Sequence, residues 1–367
     1  QGLTRLLRTL PQSGGKITWN DREFLNFSSN DYLNLANDAR VKAGAIKAIE
    51  EYGCGATSSR LMTGHLTIHE ELESSLAQWV GLESGLVFPS GFQANLAMIT
   101  SLVDETGAVF SDALNHASIV DGCRLSKAEK HIFAHRNMEH LELLLKKVEV
   151  PGRKLIVTDS VFSMDGDQAP LQELAALAKQ YDCLLAIDEA HAIGVFGEGR
   201  GLCHDLGVKP DVIMGTLTKS MGSGGGFIAT SDLIKTLVVN TARSFIFSTG
   251  LSPACCGSAL AALAVMESDP GMGETLLNNT GYLRDQLCAW GVEIPEIATQ
   301  ILPIIIGENS DAMQHMESLL DDGILLTAIR PPTVPKGTAR LRMSVTLAHK
   351  RGDLEYAAEA IAKVMRG

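Results

Sequence analysis

Three segments of the chain end apolar runs with groups able to handle protons or form an imine. Asp159 and Ser163 follow KLIVT, Asp188 and His191 follow CLLAI, and Thr216 and Lys219 follow DVIMG. A carboxylate at the end of an apolar run is costly unless a cation or a donor meets it. A lysine held in partly desolvated surroundings has its pKa lowered and becomes an amine nucleophile. From the residues alone two readings of Asp188 and Lys219 stay open, a buried ion pair or two groups that act on a ligand. A fourth segment, SGFQAN (90–95), opens a helix. Gly91 lets the backbone approach a ligand, and the free amides of a helix start attract a phosphate; the same residues would also make a tight turn.

A Schiff-base lysine, a buried carboxylate, a phosphate-ready helix start and a histidine able to stack on a ring are the parts that pyridoxal phosphate needs. Two other nucleotide motifs are excluded. Lys219-Ser220 would end a P-loop only with glycine at 213 and 218, where the chain has Ile213 and Thr218. Gly224-x-Gly226-x-x-Ala229 would need to open a helix, but GGGFIATSD runs into a strand-like segment.

The elements that must position these groups alternate. LVF (86–88), AVFSD (108–112), KLIVTDS (154–160), CLLAIDEAH (183–191) and DVIMGTLTK (211–219) read as buried strands. Between them lie helical stretches, among them PSGFQANLAMITSLV, a helix near 117–127, and PLQELAALAKQY with Pro170 suited to a first turn. Strands separated by helices imply a largely parallel sheet covered on both faces. Ligands bind such sheets at the carboxyl ends of the strands. Thr67 and Glu70 have capping-box spacing, and Gly81 suits a C-cap. Residues 1–38 read as an N-terminal arm with a short Arg-bearing helix, residues 39–267 as the large domain, and 268–367 as a smaller α+β domain after SDPGMG.

The formal net charge of −12 is a poor match to nucleic acid or an anionic membrane. No stretch reaches the roughly 18 apolar residues of a membrane span, and QGLTRLLRTLPQ is too polar for a secretory signal. Seven cysteines, none with C-x-x-C spacing, argue against a disulfide framework or a metal knuckle and fit a cytoplasmic protein.

SSNDYL (28–33), PSGFQAN (89–95), NHASIVDG (115–122), VFSMDGD (161–167), DEAH (188–191) and TLTKSMGSGGG (216–226) together resemble the α-oxoamine synthase family. The resemblance is collinear over nearly the whole chain. It implies a fold-type I pyridoxal-phosphate transferase, with a large mainly parallel-sheet α/β domain and a smaller C-terminal α+β domain. It also implies a homodimer with shared active sites, and a reaction that joins an amino acid to an acyl thioester with loss of CO2.

Residue by residue, Lys219 matches the lysine that holds the cofactor and then acts as acid and base at the α-carbon. Asp188 matches the partner of the pyridinium nitrogen, and His116 the histidine stacked on the ring. His191 and Ser163 match groups beside the phenolic oxygen. Gly91, Phe92 and Thr216 match phosphate contacts, and Ser248 and Thr249 a phosphate contact from the partner subunit. Asn30, Thr333 and Arg342 match substrate contacts, Arg342 holding a carboxylate, and Arg5 an arm residue near the acyl group. AIRPPTVPKGTARLRMSVTLAH (328–349) resembles the branch that takes L-alanine and a pimeloyl thioester of coenzyme A or acyl carrier protein. A glycine C-acetyltransferase is the alternative within the family. A catalytically silent pyridoxal-phosphate fold is the alternative of another class, and the filled catalytic positions count against it. Thr218, Ala192 and Asp159 depart from the family's usual Gly, Gly or Ser, and Glu.

Overall fold

A computed structural model describes residues 7–11, 14–296 and 298–366. The chain divides into two compact units: 39–162 with 168–270, and the described residues through Asp38 with 163–167 and those from 271. The described arm residues therefore share a unit with the segment from Gly271 onward.

The larger unit is built on a seven-stranded sheet. Its strands run in the order Ser84–Phe88, Gly226–Thr230, Val212–Thr216, Cys183–Asp188, Lys154–Asp159, Ala108–Asp112, Glu129–Phe133. Only Gly226–Thr230 is antiparallel to its neighbours. Every residue of Ala108–Asp112, Val212–Thr216 and Gly226–Thr230 is buried, as a sheet covered on both faces requires. The edge strand Glu129–Phe133 is mostly exposed and charged, which protects an edge from pairing with another chain. Its polar sequence, EKHIF, gave no apolar run to read.

Helix Gly91–Leu102 packs Ala94, Ala97, Met98, Ile99 and Leu102 into the main core. Each such aliphatic side chain larger than Ala contributes about 1.5–3 kcal/mol when removed from water. Helices Ala39–Tyr52 and Pro253–Ser268 cross backbone against backbone. A Cβ on Gly44 would lie 2.5 Å from Gly257 O, and one on Gly257 2.4 Å from Gly44 O. The helix predicted from Thr67 does span Thr67–Val80, with Gly81 as a left-handed C-cap (φ 78°). Its N-cap, however, is Leu66, whose N–H donates to His69 Nδ1 at 2.9 Å, so His69 fills the role expected of Glu70. The helix near 117–127 ends at Leu125.

The smaller unit holds two three-stranded sheets. Lys16–Trp19 and Arg22–Asn26 form a hairpin, joined by Ile324–Leu325. Asn20 and Asp21 turn it with positive φ of 52° and 59°, as a two-residue hairpin needs. Residues 7–10 of the arm are not helical, and the rest of the predicted Arg-bearing helix lies outside the described residues. The second sheet has Ala339–Ser344 between Ile301–Gly307 and Thr327–Ile329. Helices Met272–Ala289, Asn309–Asp321 and Arg351–Met365 complete the unit.

Candidate active site

In the larger unit the predicted groups gather at the carboxyl ends of neighbouring strands. Asp188 ends its strand 3% exposed. Its Oδ2 accepts from Asn95 Nδ2 at 2.7 Å and its Oδ1 from the Ala190 N–H at 2.9 Å, so both donors are neutral. Asp159 ends the adjacent strand in register with Asp188 and accepts from the His116 N–H at 2.8 Å. Burial, then the charge of Asp188, pushes the Asp159 carboxyl well above the usual carboxylate range; the His116 N–H and Lys219 pull the other way. His116 caps helix Ala117–Leu125 and is exposed at its surface. The protein packed around its ring lowers its pKa; Asp188 opposes that shift and Lys219 adds to it.

Lys219 is half-buried, three residues beyond the strand ending at Thr216. Its loop is pinned by Leu217 N–H to Gly225 O (3.0 Å), Ser223 N–H to Leu217 O (2.9 Å) and Ser220 Oγ to Ile193 O (2.7 Å). Thr218, where the family has glycine, is exposed, with its Oγ1 2.8 Å from Thr216 Oγ1. His191 is 5% exposed, behind Asp188 in sequence and buried with it. Glu189 is fully buried and accepts the N–H groups of Leu202 (2.7 Å) and Cys203 (2.8 Å). Burial raises its pKa to about 7 against the pull of those donors.

At the start of helix Gly91–Leu102, Ser90 Oγ accepts from Gln93 N–H at 3.2 Å, while the amides of Gly91 and Phe92 have no acceptor among the described residues. A Cβ on Gly226 would sit 2.6 Å from Gly91 Cα, so only glycine lets the turn and the strand meet there. Two free amides, a lysine on a pinned loop, an exposed histidine ring and a carboxylate held by neutral donors together fit pyridoxal phosphate. Ser248 lies beside the same helix turn, its Oγ accepting from Gln93 Nε2 at 3.1 Å, and Thr249 is exposed and bridges Ser59.

In the smaller unit Arg342 is 7% exposed. It donates to Ser163 O (2.5 Å), Asn30 Oδ1 (3.1 Å), Ser344 Oγ (2.8 Å) and Tyr32 OH (3.4 Å), all neutral oxygens. Among the described residues it has no carboxylate partner. Ser163 thus meets Arg342 through its carbonyl. Thr333 is exposed on the segment before the Arg342 strand, its N–H donating to Arg330 O at 3.1 Å. Arg5 lies outside the described residues. The sequence reading missed Asn95, Ser118 and Glu189. Asn95 and Glu189 stand inside motifs already quoted, SGFQAN and DEAH, but their roles depend on partners far along the chain.

The model of the aminotransferase class I and II family matches residues 22–361. The 8-amino-7-oxononanoate synthase of Lysinibacillus sphaericus is 45% identical over 99% of this chain and 95% of its own. That of Geobacter sulfurreducens is 45% identical over the same shares. Among solved structures, an SPT holding PLP as the internal aldimine superposes with TM-score 0.94 at 30% identity, covering 98% of this chain and 92% of that one. An 8-amino-7-oxononanoate synthase of Francisella tularensis superposes with TM-score 0.80 at 26% identity, covering 94% and 98%. The chain belongs to the class I and II aminotransferase family, as a fold-type I pyridoxal-phosphate enzyme. Within it, the chain is an α-oxoamine synthase, an acyltransferase most like the 8-amino-7-oxononanoate synthases.

Proposed function

We propose that the protein condenses L-alanine with a pimeloyl thioester, giving 8-amino-7-oxononanoate, CO2 and the free thiol, a step of biotin synthesis. The observation that carries the amino-acid half is Arg342, a buried guanidinium whose every acceptor is neutral. A buried cation is normally matched by an anion, and an amino acid's carboxylate supplies one with bidentate geometry. The acyl half rests on the relatives' names, at 45% identity over 99% of the chain.

When bound, pyridoxal phosphate supplies an electron sink for the α-carbon. Lys219 would hold the cofactor through its amine and could take and return the proton at that carbon. Asp188, oriented by its two neutral donors, would supply the carboxylate that keeps the ring nitrogen protonated. Arg342 and Asn30 orient the amino acid, which lowers the entropic part of the barrier. The amides of Gly91 and Phe92, with Thr216, would hold the phosphate, and His191 and Ser163 are the groups assigned to the phenolic oxygen. Thr333 contributes to the acyl side.

The reading includes a homodimer in the cytoplasm. Exposed Leu61 (52%), Met62 (76%), Phe92 (43%) and Phe247 (71%) flank the Ser59–Thr249 bridge and the Gln93–Ser248 contact. Such an apolar group suits a partner surface, and would put Ser248 and Thr249 in reach of the second subunit's phosphate. Mass-spectrometric identification of the product from alanine and a panel of acyl thioesters tests the whole reading. Pimeloyl-CoA or pimeloyl acyl carrier protein is expected to exceed acetyl-CoA with glycine by a hundredfold in kcat/KM, since each buried methylene contributes roughly 0.8 kcal/mol. Equal use of acetyl-CoA and glycine would replace this reading with the glycine C-acetyltransferase one.

A further inference from the structure

Asn95 lies one helical turn beyond Gly91 and is fully buried. Its Nδ2 makes two hydrogen bonds, to Asp188 Oδ2 at 2.7 Å and to Ser118 Oγ at 2.8 Å. Its Oδ1 is buried with no partner among the described residues. That orientation is forced. An ionised carboxylate only accepts hydrogen bonds, so the amide must turn its NH2 towards Asp188. Ser118 Oγ therefore receives a hydrogen from Asn95, which leaves its own hydrogen to be given away. The atom available to take it is His116 Nδ1, 2.7 Å from Ser118 Oγ. The same Nδ1 also receives the backbone N–H of Ser118 at 3.3 Å. Two donors aimed at Nδ1 leave no room for a proton on it.

We propose that Asn95 is a positioning residue which, through Ser118, holds His116 as the neutral ring protonated on Nε2, while the other hydrogen of the same amide fixes the Asp188 carboxylate. One side chain thus sets the proton state of the group expected over the ring and the aim of the group expected at its nitrogen. The direction of the relay runs outward from Asp188: the carboxylate orients the amide, the amide orients the hydroxyl, and the hydroxyl selects the tautomer. Asp188 and Lys219 are the charged groups that act on the His116 ring, and Asp159 accepts from its backbone N–H. The unpartnered Oδ1 is what this arrangement costs, since an orphaned buried acceptor loses its hydrogen bonds to water. An amide kept at a site where its oxygen is unsatisfied is kept for its hydrogens. The inference rests on the assignment of His116 and Asp188 to the cofactor.

The test is nitrogen NMR on holoenzyme labelled at histidine, with the His116 signals assigned by their loss in His116→Gln. In the wild-type protein His116 Nδ1 should be of the bare, pyridine-like type and Nε2 of the protonated type. In Asn95→Leu and in Ser118→Ala the ring should become a mixture of tautomers, and its titration midpoint should rise towards that of an ordinary histidine. Asn95→Leu should also weaken retention of pyridoxal phosphate, about tenfold by dialysis, whereas Ser118→Ala should leave retention within about twofold. Ser118→Ala changes little volume and carries the test if Asn95→Leu does not fold. Unchanged His116 signals in folded Ser118→Ala holoenzyme would overturn the relay and leave the cofactor assignment standing. Normal cofactor retention and spectrum in Asp188→Asn and His116→Gln would instead remove the assignment on which it rests.

Discussion

Each of the two units buries charges in two different ways, and the contrast separates structure from function. In the larger unit Arg60 and Glu73 form a pair at 2.9 Å with side chains 5% and 2% exposed, and Arg60 also meets His65 and the Val87 carbonyl. Asp188, equally buried, receives hydrogen bonds from an amide and a backbone N–H. In the smaller unit Arg340 and Arg342 sit two residues apart on one strand, both buried. Arg340 pairs with Asp165 at 2.5 Å, while Arg342 meets four neutral oxygens. A charge that only holds the fold finds its counter-ion within the chain. A charge that serves a ligand is propped by dipoles of neutral groups, which fix its direction and leave its charge uncompensated. The two propped charges have opposite sign, and so do the ligand groups assigned to them.

The largest effects should come from the propped group of the larger unit and its neighbour. Asp188→Asn should lower kcat by orders of magnitude, because an ion pair in a shielded site contributes several kcal/mol to the reaction, while the urea midpoint stays near that of wild type. Near-normal turnover would make Asp188 a structural residue and break the contrast. Lys219→Ala should abolish the borohydride-stable link to the cofactor, and peptide mapping should find that link on no other lysine.

Next comes the paired group. Arg60→Met should destabilise by about 3–5 kcal/mol in urea unfolding, since it strands a buried Glu73; Lys235, 3.5 Å from Glu73, softens the loss. Turnover of whatever folds should be little changed.

The adjacent arginines give the sharpest comparison. Arg342→Met should raise the KM for alanine about a hundredfold, equivalent to ~2.7 kcal/mol, with stability within about 1 kcal/mol of wild type. Arg340→Met should do the reverse, costing about 1–3 kcal/mol of stability with little change in KM. Parallel effects from the two would erase the distinction.

The smallest effect concerns pH. Glu189 is held neutral well above its ordinary range, to about 7. Its folded form keeps a proton that the unfolded chain has lost, so its contribution to stability declines as pH rises from about 5 to 7, by roughly 2 kcal/mol. His349 stacks on Phe27 with ring centroids 4.1 Å apart and has its pKa lowered by burial to about 4. The unfolded chain binds the proton there, so its contribution grows over the same window, by a similar amount. Glu189→Gln should therefore steepen the rise of stability with pH, and His349→Gln should tilt it downward, in thermal or urea unfolding at pH 5, 6 and 7.

Much of this was legible in the sequence, because the apolar runs fix the central strands and place Asp159, Asp188 and Thr216 at their carboxyl ends. SGFQAN placed the helix start, though by itself it was equally a tight turn. Three things were not legible. The edge strand Glu129–Phe133 has charges where a central strand has aliphatics. Arg340 and Arg342 are the same residue type at the same spacing, and only the fold shows that Asp165 answers one of them. Asn95 acts through Asp188 and Ser118, and a side chain whose work is to aim two others leaves no pattern of its own. The arm's place beside the C-terminal segment likewise depends on pairings such as Ile324 with Leu25, which no local signal carries.

The close meeting of Gly91 and Gly226 also sets a timetable for synthesis. Ser84–Phe88 is an edge strand whose single neighbour in the sheet is Gly226–Thr230. The ribosome releases the helix start at Gly91 long before it makes that neighbour. Until then the strand leading into the phosphate turn has nothing to dock on, and non-local pairing of this kind is slow. The nascent chain passes through a period in which most of its large sheet can form while its grip on the cofactor cannot. Released chains that end before Gly226 should fail to retain pyridoxal phosphate, even though they already contain Asp188 and Lys219.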